Sequence, residues 1–386
     1  MSANVAPRLF AARACAWGLL VAGWIGLGGL ALRLAPSLAV GFSLVALWLL
    51  ALGAAATVAT RGDLRRWSRA LALAAAAVLT IAGVLATVRG GGLAALLPAL
   101  IGWAALTALA SGVVRSLRLA QAARPAPPIA AAALGALCAG VALGDLGDLP
   151  ALAERLAAVV AAAALALALL QRGIDIPARA PGCRAGLFDC SLPAWPAGAW
   201  RDLRQWPALL AGLAMLPMMA ALPLMVDWCR ADAIAPQTTV LTHLAAMFGP
   251  ALLLRRSIAR WSPFALSGAC AALLAGGAAL VAWAPAPFDW LGLAVAHGAA
   301  WSMAWSGALW APQRRARQGS SPLHAAAGYA LLTIGVGVIT ERLGASGVAA
   351  VHLVLASGAV AAWLGAAPHT LLARAQRDAP LIRRLP

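Results

Sequence analysis

Twelve separate windows of this chain are each apolar over roughly 20 residues, the length a helix needs to cross the hydrocarbon core of a bilayer. They fall at 15–32, 37–60, 70–88, 93–114, 129–146 and 151–170, then at 206–226, 238–254, 264–283, 288–310, 325–340 and 345–364, bounded by charge, Pro or Gly clusters. In hydrocarbon every backbone N–H and C=O must find a partner inside the protein, so only helices or a closed barrel can span, and windows this long read as helices. Composition agrees: 63% of the 386 residues are apolar and only 11% charged. The expected fold class is an all-α polytopic membrane protein with twelve transmembrane helices. Arg8 and Arg13 precede the first window as they would in a secretory signal, but that window is long and many more follow. We read it as a first span that is not cleaved.

Charge tests this segmentation independently. All 29 basic residues are Arg and the formal net charge is +17, a balance that in a soluble protein would point to nucleic acid. Here its placement says otherwise. Arg33, Arg89, Arg155, Arg230 and Arg342 fall on one side, while the other 24 occupy the N-terminus, the loops after windows 2, 4, 6, 8 and 10, and the C-terminal tail. Arg marks cytoplasmic ends, so both termini are expected in the cytoplasm, with the lipid bilayer rather than nucleic acid as the partner. The lack of Lys also excludes a Lys-dependent phosphate loop, and with it a nucleotide-driven pump.

The longest polar stretch, 171–205, holds Pro177, Pro181, Pro193, Pro196 and five Arg. It divides the chain into a six-helix bundle at 1–170, a cytoplasmic central loop at 171–205, a second six-helix bundle at 206–370 and a cytoplasmic tail at 371–386. Two six-helix bundles with both ends inside is the layout of the major facilitator superfamily, an analogy of topology.

Of seven Met, all but Met1 and Met303 lie between Met215 and Met247. Residues four apart share a helix face, which pairs Met215 with Met219 and His243 with Met247. Met215, Met218, Met219 and Met225 fall within an arc of about 120°. Windows 7 and 8 run in opposite directions, so Met215 and Met247 both lie roughly 11 to 14 Å from the inner surface, and Met219 and His243 roughly 17 to 20 Å. Thioethers with one imidazole, away from carboxylates, suit Cu(I) better than a hard cation. Flexible Met also fills gaps in apolar bundles, so packing is the alternative use; an intramembrane His is costly and faces a cavity or a partner.

Met215-x-x-x-Met219 followed by His243-x-x-x-Met247 resembles the paired signature of the copper-uptake branch of the major facilitator superfamily, over residues 211–261. The resemblance implies an inner-membrane secondary transporter of bacteria, multi-pass, that imports copper by alternating access and supplies assembly of haem-copper oxidases. Met215, Met219, His243 and Met247 become its copper ligands, with copper as the transported ion and no permanently bound cofactor. Related members carry riboflavin or other solutes, so a small organic solute is the alternative cargo. A non-transporting membrane assembly factor is a third reading. Arg61-Gly-Asp-Leu-Arg-Arg66 departs from the superfamily's usual loop motif between the second and third spans, and Met218 and Met225 stand outside both pairs.

Secondary contacts to the cargo are expected from Met218, Met225, Cys229 beyond the outer end of window 7, and His297, which lies near Trp301 and Trp305. A hydrogen-bonded packing role is the alternative for His297. Trp283, Trp290 and Trp310 read as interfacial anchors. His324 lies at the edge of one window and His352 within another, which argues against a haem, and His369 falls in the tail. The six Cys form no disulfide framework and read mostly as small buried hydrophobes; Cys183 and Cys190, with six residues between them, do not match a zinc ribbon. Glu154 is the nearest carboxylate to a span interior. With no HExxH, GxSxG or paired carboxylates in a span, the chain is not expected to be an enzyme.

Overall fold

The computed structural model describes residues 5–61, 66–120, 128–144, 146–172, 203, 206–215, 219, 236–254, 257, 260–285, 288–310 and 322–382, and every regular element among them is helical. In chain order these are α1 (Val5–Ala22), continued through a π-helical turn at Gly23–Leu27 into α2 (Gly28–Leu34), then α3 (Leu38–Arg61), α4 (Arg66–Ala86), a second π turn at Thr87–Gly91, α5 (Gly92–Ala120), α6 (Pro128–Leu143) and α7 (Leu149–Leu170). The second half contains α8 (Trp206–Met215), α9 (Pro236–Leu253), α10 (Pro263–Trp283), α11 (Phe288–Trp310), α12 (Pro322–Leu343) and α13 (Ala345–Ile382). Among the described residues, seven stretches are long and apolar enough to cross a membrane: Val5–Leu34, Leu38–Val58, Arg69–Val114, Leu149–Leu170, Phe264–Trp283, Ala326–Leu343 and Ala345–Pro368.

The third stretch turns back on itself. Arg89 leaves helical geometry while Gly90 and Gly92 take φ of 104° and 54°, a region where an L side chain is strained. α4 and α5 therefore pack side by side, with Gly83 against Ala99 and Gly102 against Thr80, an antiparallel pairing. Helix starts follow local chemistry. Pro128, Pro236, Pro263 and Pro322 open helices, where the missing N–H is not needed. Asp148 and Ser262 accept the backbone N–H of Ala151 and Ala265 at 3.1 Å, each satisfying an orphan donor. α13 runs past its apolar window to Ile382, carried by the helix-forming run at 371–377.

Helix α1 with α2 lies at the centre of the first half: its apolar window is 94% buried against 44% or less for the others, and α5, α6 and α7 pack around it. Trp103 donates its indole N–H to the Leu19 carbonyl at 2.8 Å, one turn before the π-helical segment. Among the described residues the halves pack most extensively through α3 with α12 and α6 with α9. The first is tight because Gly337 has no side chain; a Cβ there would lie 2.5 Å from the Cβ of Phe42. At the same end Glu341 accepts the Ala39 N–H at 2.6 Å, capping α3 from the other half. Outward faces carry exposed Val58, Leu71, Val78, Leu165, Leu331 and Val354, an apolar surface suited to lipid.

Candidate functional site

The site is organised by α9, which is polar for a helix in this position. It carries Gln237, Thr238, Thr239, Thr242 and His243, and of these Thr239 and His243 are buried. Its inner face lies against α11, and the two are held together by Gly298. A Cβ at that position would sit 2.9 Å from the His243 carbonyl oxygen and 3.1 Å from both the Met247 nitrogen and the Ala246 Cβ, so only glycine lets the backbones approach this closely. The His243 ring uses the same contact: Nδ1 donates to the Ala294 carbonyl at 2.7 Å. A carbonyl can only accept, so in the neutral ring the proton is on Nδ1 and the lone pair on Nε2. That Nε2 is buried without a hydrogen-bond partner.

Met215 at the end of α8, Met219, and Met247 on α9 are fully buried and belong to one continuous apolar cluster with Leu244 and Phe248. Burial strips water from the thioethers and leaves soft sulfur donors in a dry environment, the condition that favours a soft monovalent cation. Among the described residues no group of three or more His, Cys, Asp or Glu is arranged to hold a metal ion, so a site here would draw its donors from sulfur as well as imidazole. Met218, Met225, Cys229, Cys183 and Cys190 lie outside the described residues.

His297 is 1% exposed, and among the described residues neither ring nitrogen has a hydrogen-bond partner. Its ring lies nearly parallel to that of His243, with centres 6.4 Å apart and planes 13° apart, and edge-on to His352 at 5.0 Å. His352, 3% exposed on α13, donates Nδ1–H to the Val348 carbonyl one turn earlier at 3.1 Å, leaving Nε2 without a partner. Sequence reasoning treated these three histidines separately. The available signal was spacing: His297 follows His243 by 54 positions and His352 follows His297 by 55, each step the length of two windows and two loops.

One turn further along α9 and α11, Phe248, Trp301 and Trp305 meet Trp17 of α1. Trp17 contacts Trp305 at 5.5 Å, Phe248 at 5.6 Å and Trp301 at 6.0 Å between ring centres, while Trp301 and Trp305 stack at 5.2 Å. This aromatic block joins the halves directly beside the histidines.

One expectation changes. Trp290 is buried, not interfacial; Phe288 is exposed at the same helix end, and positions two apart face opposite sides. Trp283 is exposed at 83%, as an anchor should be. Glu154, the carboxylate nearest a span interior, is exposed. Of the described cysteines, Cys270 is buried and Cys138 exposed.

No protein-family model and no curated protein sequence matches the chain. Solved structures do. A mutant of the nucleoside transporter NupG superposes with a TM-score of 0.62 at 17% identity, covering 94% of this chain and 98% of that one. The xylose transporter XylE from E. coli, in a partially occluded inward-open conformation, gives 0.61 at 16% identity over 93% and 97%. The human organic anion transporter MFSD10 (TETRAN) gives 0.54 at 14% over 93% and 98%. These are transporters, not enzymes, and the chain shares their major facilitator fold.

Proposed function

We propose that this chain is a copper importer: a secondary transporter of the bacterial inner membrane with twelve spans in two six-helix bundles, both termini cytoplasmic, working by alternating access. The observation that carries the copper reading is the buried donor set. His243 is oriented by Ala294 with its Nε2 lone pair unused, and Met215, Met219 and Met247 are buried thioethers. Leaving a buried imidazole nitrogen unmatched costs about 1 to 3 kcal/mol, a cost that a transported soft cation would remove. Helices occupy eleven of the twelve windows and α8 begins the remaining one, which supports the span count; the 24 Arg on one side support the orientation. The link to haem-copper oxidase assembly rests on the motif resemblance.

A small organic solute is the second reading, favoured by the aromatic block of Trp17, Phe248, Trp301 and Trp305, since stacked indoles suit a planar cargo. A non-transporting assembly factor is a third. Radioactive copper accumulation in cells with and without the chain separates them. Met215→Ala and His243→Ala, expressed at parental levels, are expected to lower uptake by about 10- to 100-fold, while Met218→Leu, outside both motif pairs, retains most of it. Parental copper uptake by both Ala variants rules out the metal site.

A further inference from the structure

His297 and His352 have no place in either motif pair, yet the structure aligns them with His243 in a row of three buried imidazoles on α9, α11 and α13. A neutral imidazole carries one N–H donor and one lone pair, and in a dry bundle both need a partner. His243 and His352 each spend the donor on a backbone carbonyl and keep Nε2 free; His297 between them has both nitrogens unpartnered. Among the described residues this row holds four buried nitrogens without partners, two of the three rings being already oriented by carbonyls, which is how second-shell contacts orient coordinating imidazoles.

The spacing fits single ions bound between neighbours. Two imidazoles bound through nitrogens at about 2 Å each to one ion hold their ring centres roughly 5 to 6.5 Å apart, the upper end when the two bonds are collinear. The His243 and His297 rings are stacked with centres 6.4 Å apart, and His297 meets His352 edge-on at 5.0 Å, so both separations fall in this range and a turn of the His297 ring would aim a nitrogen at either neighbour. The three rings do not surround a common point, in keeping with the lack of any three-residue His, Cys, Asp or Glu metal group among the described residues. Such a row does not suit a tetrahedral chelate for Zn(II); it suits Cu(I), which accepts two donors.

We propose that His297 and His352 form a second, imidazole-only relay for Cu(I): His297 takes the ion from His243 through its single lone pair, its ring turns with the N–H kept on the other nitrogen, and the ion passes to His352 Nε2, from α9 through α11 to α13. This rests on the copper reading above. Sulfur and imidazole bind the ion first; two-donor stations next to that site then hold it loosely enough to release it.

The test uses the full-length purified chain with Cu(I) presented by a competing chromophoric chelator, X-ray absorption of the bound copper, and uptake in cells. His297→Phe keeps ring size and removes both nitrogens; His297→Met restores one soft donor and reports whether the position needs a ligand or only a shape. The expected result is that His297→Phe slows copper uptake by about tenfold or more and lowers imidazole scattering from bound copper, that His297→Met recovers uptake to within about threefold of the parent, and that His352→Phe follows His297→Phe. The Met215→Leu, Met219→Leu, Met247→Leu triple variant should still bind Cu(I), more weakly, until His297→Phe is added. If His297→Phe binds and moves copper like the parent with unchanged imidazole scattering, the relay is overturned while the Met and His243 site stands. If the parent binds no Cu(I), the copper reading fails and the relay with it.

Discussion

Gly298 is the position where a single methyl group most directly tests the geometry of the site. An alanine Cβ there would meet the His243 carbonyl at 2.9 Å, the Met247 nitrogen at 3.1 Å and the Ala246 Cβ at 3.1 Å. Two of these are backbone atoms of α9, so no side chain can swing away and the helices must separate by a few tenths of an ångström. Overpacking of this kind costs about 1 to 3 kcal/mol. Gly249 is the matched control, because it lies on α9 and an added Cβ meets nothing within 4 Å. Both substitutions gain the same helix propensity, up to about 1 kcal/mol, so their difference isolates the clash. At about 2 to 4 °C per kcal/mol, Gly298→Ala should unfold roughly 2 to 12 °C below Gly249→Ala in the same detergent. The displacement also moves His243 away from Ala294 and His297, so copper uptake should fall for Gly298→Ala and not for Gly249→Ala. Equal melting temperatures and equal uptake for the two variants would refute the close approach of α9 and α11.

The aromatic block and the orientation in the membrane give two further tests. Trp17→Ala removes the ring that Phe248, Trp301 and Trp305 share across the two halves, and should cost about 3 to 5 kcal/mol, read as a lower melting temperature, with Trp17→Phe losing less than half of that. Reporter domains active only in the cytoplasm should be active when fused to either terminus; activity at one terminus alone refutes an even number of spans.

Sequence alone located the helices well wherever apolarity and punctuation agreed. α3 begins at Leu38 after Pro36, α10 at Pro263 after the Ser262 cap, and the turn between α4 and α5 at the Arg89-Gly-Gly-Gly run, each by a local rule. α9 follows from its apolar window at 238–254, but the burial of Thr239 and His243 within it is set by packing against α11, which that window does not encode.

The site divides along the same line. Met215 with Met219 and His243 with Met247 were readable as pairs because i and i+4 share a face whatever the tertiary structure does. The contacts of His243 with His297, and of His297 with His352, depend on the relative register of α9, α11 and α13, which loop lengths and helix tilts set and no single window encodes. The near-equal intervals of 54 and 55 positions carry that register, since helices two windows apart run in the same direction and a constant interval returns the chain to the same depth. The aromatic block shows the limit of the rule. Trp301 and Trp305 are an i, i+4 pair and could be read together, but their partner Trp17 comes from the other half of the chain at an interval that repeats nowhere, and only the packing of α1 against the second half brings it to them.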